Sequence, residues 1–181
     1  MKILFLSDIH GVPSALEQAL AAAEPLGCDR IVLLGDLLYH GPRNDLPKTY
    51  APKAVIALLN SNKEKILSVR GNCDTEVDQM VLEFPILADY AYLSLDGLTV
   101  FATHGHHHNT DTPPALRKGE ILLHGHTHVL KCVEFGNENY YLNPGSAALP
   151  KEGNPRTYMV YENRTFTVKE LDGSVVFGKN F

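Results

Sequence analysis

Five short apolar runs, Leu4 to Leu6, Ile31 to Leu34, Ile66 to Val69, Thr99 to Ala102 and Ile121 to Leu123, each stop at a polar cluster. The clusters are Asp8-Ile9-His10, Gly35-Asp36, Gly71-Asn72, His104 and Gly125-His126-Thr127-His128. Runs of this length with polar stops read as buried β-strands. Ligands of layered α/β sheets collect at the carboxyl ends of strands, so the pattern predicts strand ends converging on one polar site.

The segments between these runs set the class. Ala15, Leu16, Ala19, Leu20 and Ala23 recur at helical spacing, with Pro13 in the first turn and Gly27 at the exit. Met1 to Gly35 thus has the strand, helix, strand order of a right-handed parallel crossover. A second unit follows, with a helix over about Pro52 to Asn60 that buries Ala54, Val55, Leu58 and Leu59, and a Gly-, Pro- and charge-rich loop from His40 to Pro52 before it. Beyond Phe84 strands dominate: Tyr90 to Leu95 and Leu98 to Thr103 flank Asp96-Gly97, a tight hairpin signal. Further strands are expected at Glu120 to Leu123, Val129 to Phe135, Asn139 to Leu142, Thr157 to Tyr161, Thr165 to Leu171 and Ser174 to Phe177, the last pair turning at Asp172-Gly173. Parallel pairing is expected to give way to antiparallel pairing, in two sheets packed face to face with helices outside.

At 181 residues and 44% apolar composition, the chain suffices for one core and a single domain over 1–181. With 21 acidic against 16 basic residues, a formal charge of -5 and no Lys/Arg run, it lacks a general nucleic-acid or membrane surface. An anionic substrate must therefore be attracted locally. Cys28, Cys73 and Cys132 form no paired framework and no CxxC, which fits a reducing compartment, the cytoplasm. Ile3 to Leu6 is too short for a signal core or a membrane span. Late strands such as Val175 to Phe177 are open to two readings: faces that pair copies across a two-fold axis into a dimer or tetramer, and faces buried within the sandwich.

Asp8, His10, Asp36, Asn72, His104, His126 and His128 supply seven nitrogen and oxygen donors and no thiolate. A DxH step in extended backbone points both side chains to one side, and His126 and His128 at i and i+2 converge similarly. The set exceeds what one ion needs. With Asp36 bridging, two divalent ions receive about four protein bonds each, at a separation of roughly 3.5 to 4 Å. Imidazole with carboxylate suits manganese first, with iron, zinc or nickel as alternatives.

The order DxH, GD, GN, a lone His and GHTH resembles the calcineurin-like metallophosphoesterase superfamily, over Asp8 to Ser146. His40-Gly41-Pro42-Arg43-Asn44, Gly71-Asn72-Cys73-Asp74 and Asn143-Pro144-Gly145-Ser146 look most like its small bacterial phosphodiesterases. That resemblance implies a four-layer αββα sandwich of two mixed sheets flanked by helices, the metallophosphoesterase fold. It also implies that Asp8, His10, Asp36 and His128 hold one ion, and Asp36, Asn72, His104 and His126 the other. Asn72 and His104 would, besides, orient the substrate. Two divalent ions against two carboxylates and a bridging hydroxide leave a net positive site, which captures a phosphodiester oxygen while the hydroxide attacks phosphorus in line.

One position departs from the pattern. Many members carry His after GN, whereas this chain carries Cys73, so the usual general acid is absent. Cys73 is open to three readings: a non-catalytic replacement, a substrate contact, and an acid or extra ligand. The departure predicts preference for diesters whose leaving groups need little protonation. Arg43 reads either as a bidentate phosphate clamp or as an exposed partner of Asp45. His106, His107 and His108 read as a solvated rim, with His106 the one candidate for substrate contact, and His124 as a satisfied, partly buried histidine. Asp74 and Thr75 are expected to cap a short helix, and Asn143 to Ser146 to form a turn that supports the His126 loop. Two other functions fit the superfamily: a protein-binding scaffold, which predicts lost ligands, and a phosphomonoesterase or dinucleoside polyphosphate hydrolase.

Overall fold

The computed structural model describes residues Met1–Phe181. Its strands are β1 (Ile3–Leu6), β2 (Arg30–Leu33), β3 (Ile66–Ser68), β4 (Tyr90–Leu95), β5 (Leu98–Thr103), β6 (Ile121–Leu123), β7 (Lys131–Phe135), β8 (Asn139–Asn143), β9 (Thr157–Glu162), β10 (Thr165–Glu170) and β11 (Val175–Asn180). The helices are α1 (Pro13–Ala23), α2 (Pro52–Asn60) and the single-turn α3 (Glu76–Gln79). One sheet runs β11-β10-β9-β1-β2-β3 and the other β4-β5-β6-β8-β7. The expected sandwich of two mixed sheets is therefore present.

Alternation along β1 explains its unbroken apolar run. Leu4 and Leu6 pack with Ala15, Leu16, Val55 and Leu59 of the helices. Ile3 and Phe5 pack with Val100, Ile121 and Leu142 of the second sheet. A strand buried on both faces has no polar positions to alternate. Each such side chain contributes about 1.5 to 3 kcal/mol on full burial.

Parallel pairing is more extensive than expected. β1 pairs with β2, and β2 with β3, in parallel; so do β5 with β6 and β6 with β8. Antiparallel pairing is confined to the β4–β5 hairpin, β7 with β8, and the run β1, β9, β10 and β11. Asp96 and Gly97 turn that first hairpin with φ of 49° and 84°, as a type I′ turn requires. β7 starts at Lys131, two residues later than expected, because His128 is still in the preceding turn with φ 61°.

Residues of α1 and α2 pack against the first sheet, and no α-helix follows β4 in the chain. Phe101, Leu122 and Tyr141 are buried on the second sheet, and the His108 ring packs edge-on to Phe101 at 5.5 Å. His108 is thus a cover for the sheet as well as part of a loop rim, while His107 is exposed as expected. No helix is long and apolar enough to cross a membrane.

Candidate metal centre

The parallel strands all deliver their carboxyl ends to one place. Asp8 and His10 follow β1, Asp36 follows β2, Asn72 follows β3, His104 follows β5, and His126 and His128 follow β6. Contacts between the sheets lock these ends together: the His126 N–H donates to Asp8 Oδ2 at 3.0 Å, and His104 Nδ1 donates to the Leu34 carbonyl at 2.7 Å. Two glycines make the approach possible. A Cβ on Gly71 would lie 2.2 Å from the Asp36 nitrogen, and one on Gly125 would lie 1.8 Å from Ser7 Oγ.

The backbone at the donors is not extended, which corrects the expectation for the DxH and HTH steps. Asp8, His10, Asp36, His126 and His128 have φ of 56°, 48°, 56°, 64° and 61°. Each lies where the chain turns sharply off a strand, so left-handed residues, not strand alternation, bring i and i+2 to one side. Asp and His tolerate this region better than most side chains, and strained residues cluster at functional sites.

Three imidazoles are aimed by backbone carbonyls. Nδ1 of His10 donates to the Tyr39 carbonyl at 2.7 Å, that of His104 to Leu34, and that of His128 to Leu149 at 2.5 Å. This fixes the tautomer and leaves each Nε2 as a bare acceptor. His10 Nε2 and His128 Nε2 stand 3.2 Å apart, and Asp8 Oδ1 lies 3.3 Å from the latter. Asp8 Oδ1 is buried with no hydrogen-bond partner. Acceptors facing acceptors in a buried site fit a bound cation. Asp36 Oδ2 lies 3.6 Å from His10 Nε2 and 3.5 Å from His104 Nε2. Beyond it, His104 Nε2 is 3.1 Å from Asn72 Oδ1 and 3.1 Å from His126 Nδ1. The structure thus brings all seven predicted donors into one cluster, with Asp36 in the middle.

The electrostatics point the same way. Burial pushes the Asp8 carboxyl up, but the His10 and His128 imidazoles outweigh it and hold Asp8 well below its ordinary value. Burial pushes His104 down, yet Asp36 and Asp8 raise it to about 9. The pocket favours positive charge, whether carried by protons or by metal ions. Asp8, His10 and His128 bring ligand atoms within 4.8 Å of one another; so do Asp8, Asp36 and His104, and also His10, Asp36 and Cys73.

The remaining candidates divide. Arg43 lines the cavity over the donors, with Cys73, so the clamp placement fits better than a pair with Asp45. Lys151, which the sequence does not single out, lines the same cavity. Its only signal is proximity in sequence to the Asn143 to Ser146 turn. Burial and the Asp36 charge push the Cys73 thiol up to about 12, and its N–H donates to Asp36 Oδ1 at 2.8 Å. The His106 ring lies tilted at 5.4 Å from that of His104 and 6.2 Å from that of His126, beside the donors but off that cavity. Burial and the His104 charge lower it to about 4. His124 is buried and its Nδ1 donates to the Gly125 carbonyl at 3.0 Å, while its Nε2 has no partner, so the expected satisfied histidine holds at one ring nitrogen only. Its ring stacks on Tyr141 at 4.3 Å.

Asp74 is the larger correction. Thr75 caps α3 with Asp78 in a reciprocal capping box, while the Asp74 carboxylate accepts from the backbone N–H groups of Asp36, Leu37 and Gly71 at 2.8 to 2.9 Å. It therefore joins the ends of β2 and β3 and does not cap a helix. Asn143 does support the histidine loop, its Nδ2 donating to the Gly125 carbonyl and to Thr127 Oγ1. Ser146 Oγ donates to the Asp8 carbonyl at 2.8 Å.

The calcineurin-like phosphoesterase superfamily domain matches residues 1–165. The chain is 45% identical over 177 residues to Phosphodiesterase YfcE of Escherichia coli K12, covering 97% of this chain and 96% of that one. The solved structure of YfcE, a phosphoesterase from E. coli, matches with a TM-score of 0.94 and 43% identity over 99% of this chain and 98% of the other. A phosphodiesterase of Methanocaldococcus jannaschii is 24% identical over 153 residues, covering 80% of this chain and 83% of its own. With fold and sequence in agreement, the chain belongs to the calcineurin-like phosphoesterase superfamily.

Proposed function

We propose that the protein is a metal-dependent phosphodiesterase that hydrolyses a small phosphodiester at a dinuclear centre. The position of Asp36 Oδ2, about equally far from His10 Nε2 and His104 Nε2, carries the proposal, because it makes one carboxylate common to two sets of bare acceptors. Asp8, His10, Asp36 and His128 would hold one ion, and Asp36, Asn72, His104 and His126 the other. When bound, divalent ions supply Lewis-acid charge and an acidified water able to attack phosphorus near neutral pH. Donors limited to nitrogen and oxygen favour manganese, with iron, zinc or nickel as alternatives.

The chain's own residues do the positioning. Carbonyls of Tyr39, Leu34 and Leu149 hold three imidazoles in their working tautomer before any ligand arrives, so little reorganisation accompanies binding. Arg43 and Lys151 put positive charge at the cavity of a chain with formal charge -5, and thereby draw in a phosphoryl group. Asn72, which lines the cavity, and His104, 3.1 Å from Asn72, orient it. Cys73 stands where many members of the superfamily carry His, so the departing alcohol lacks an effective general acid, which favours diesters with good leaving groups. Similarity to a curated phosphodiesterase across 97% of the chain supports diesters over monoesters. Three free cysteines support a reducing compartment, the cytoplasm.

Release of 4-nitrophenol from bis(4-nitrophenyl) phosphate and from 4-nitrophenyl phosphate, metal-free and with added manganese, tests the proposal. Manganese-dependent turnover of the diester, well above that of the monoester, is expected. Folded protein without manganese-dependent turnover of either compound would refute it and favour a protein-binding scaffold.

A further inference from the structure

The polar cavity lined by Arg43, Asn72, His126 and Lys151 ends at Cys73. On the other side of Cys73 opens a second cavity of about 420 Å³, walled chiefly by Tyr39, Tyr50, Ile56, Val77 and Val81. Cys73 lines both, and its Sγ lies within 4.8 Å of ligand atoms of His10 and Asp36. An ester arm of a few bonds therefore reaches from the donor cluster to the apolar wall.

That wall is built on the same backbone as the donors. The Tyr39 carbonyl receives His10 Nδ1. The Tyr50 ring lies against Gly11, where a Cβ would stand 2.4 Å from Cε2. His40 sits edge-on between the two tyrosines, at 4.7 Å from Tyr39 and 5.4 Å from Tyr50. Yet the wall faces solvent: Val77, Val81 and Tyr39 are 69%, 44% and 41% exposed. Apolar side chains left open beside a charged site are the usual composition of a ligand subsite.

We propose that this cavity takes one ester group of the phosphodiester, a flat aromatic or comparable apolar alcohol residue, with Cys73 as the low wall between the phosphoryl and organic subsites. The inference rests on the phosphodiesterase reading above and adds the substrate class. Cys73 acts here by its size. A thiol is smaller than the imidazole that many members of the superfamily carry after GN, and so fills less of the space between the two cavities that it lines.

Calorimetry on the manganese-loaded protein tests this with two phosphonates. Benzylphosphonate matches phenyl phosphate with a methylene in place of the ester oxygen, and ethylphosphonate matches methyl phosphate. Burial of the ring should make benzylphosphonate bind about tenfold tighter or more. In the double variant Val77→Asn, Val81→Asn, neutral and at exposed positions, the affinity ratio should fall about threefold or more with the circular dichroism spectrum unchanged. Equal affinities in the native protein, an unchanged ratio in the folded variant, or binding of neither compound would overturn the subsite. Turnover of bis(4-nitrophenyl) phosphate by the same preparation separates the two ideas. Benzyl preference without turnover removes the catalytic reading and keeps the subsite; turnover without preference does the reverse.

Discussion

Asp74→Ala is expected to be among the most damaging single changes outside the donors. Its carboxylate accepts three backbone N–H bonds, from Asp36, Leu37 and Gly71, and is buried. Each buried donor left unsatisfied costs about 1 to 3 kcal/mol; water entering the space restores part, which leaves a loss of about 3 to 5 kcal/mol. Native domains are stable by only about 5 to 15 kcal/mol. At roughly 2 to 4 °C per kcal/mol for a chain of this size, Tm should fall by about 6 to 20 °C. Urea unfolding of the metal-free protein measures the loss directly, provided the m-value is unchanged. Thr75→Ala is the control, because it removes only the exposed cap of α3, worth about 1 kcal/mol. If Asp74→Ala costs no more than Thr75→Ala, the residue is merely part of a helix start and the joining role assigned to it is wrong.

Three further outcomes follow from named contacts. Gly125→Ala would place a Cβ 1.8 Å from Ser7 Oγ and 2.6 Å from Asp8 Oδ2; the shift forced on Asp8 should weaken manganese binding about tenfold or more by calorimetry, and native affinity would show that the loop yields instead. Cys73→His should raise turnover of aryl esters with poor leaving groups by about a hundredfold, the lower range for a positioned general acid, and unchanged rates would remove the missing-acid argument. Burial lowers His124 to about 4, so the unfolded chain protonates first, and its contribution to stability, present above the ordinary pKa of about 6.5, is lost as pH falls from there towards 4. In His124→Gln, the decline of urea midpoint over that interval should be shallower than in the native protein; an identical slope would contradict a buried neutral imidazole.

The donors are legible in the sequence because each closes an apolar run, and a run buried on both faces, as in β1, cannot hide among alternating polar residues. The bounds of α2 are legible, since Pro52 presets the first turn, and Val55 and Leu59 give its buried face; Ala54, expected on that face, is exposed, and Leu58 is half-buried. Asp74 is not legible. Asp before Thr and three residues short of a second acid has the local signature of a helix start, and only the distant backbone of Asp36 and Leu37 gives the carboxylate its real partners. Lys151 fails for the same reason: its position is set where the Lys151 N–H meets the His128 carbonyl at 3.2 Å, a contact no spacing announces. The parallel pairing of β6 with β8 is likewise hidden, because three buried residues carry no sign of direction.

Backbone geometry at the donors gives the metal a thermodynamic signature. Five of them are left-handed non-glycine residues, and at about 1 kcal/mol each, the low end of such costs, they store about 5 kcal/mol. Hydrogen bonds from Ser146 Oγ, Asn143 Nδ2 and to Asp74 offset part of this, but they leave Asp8 Oδ1 without a partner. A cation is the natural complement, because it binds only when the strained residues are already in place. Manganese at one hundred times its dissociation constant should therefore add about 2.7 kcal/mol, a rise in Tm of roughly 5 to 11 °C that chelation reverses. In His128→Ala, which deletes one of the acceptors facing Asp8 Oδ1, the same manganese concentration should give less than half that rise. A full rise in the variant would place the stabilising ion somewhere other than between Asp8, His10 and His128.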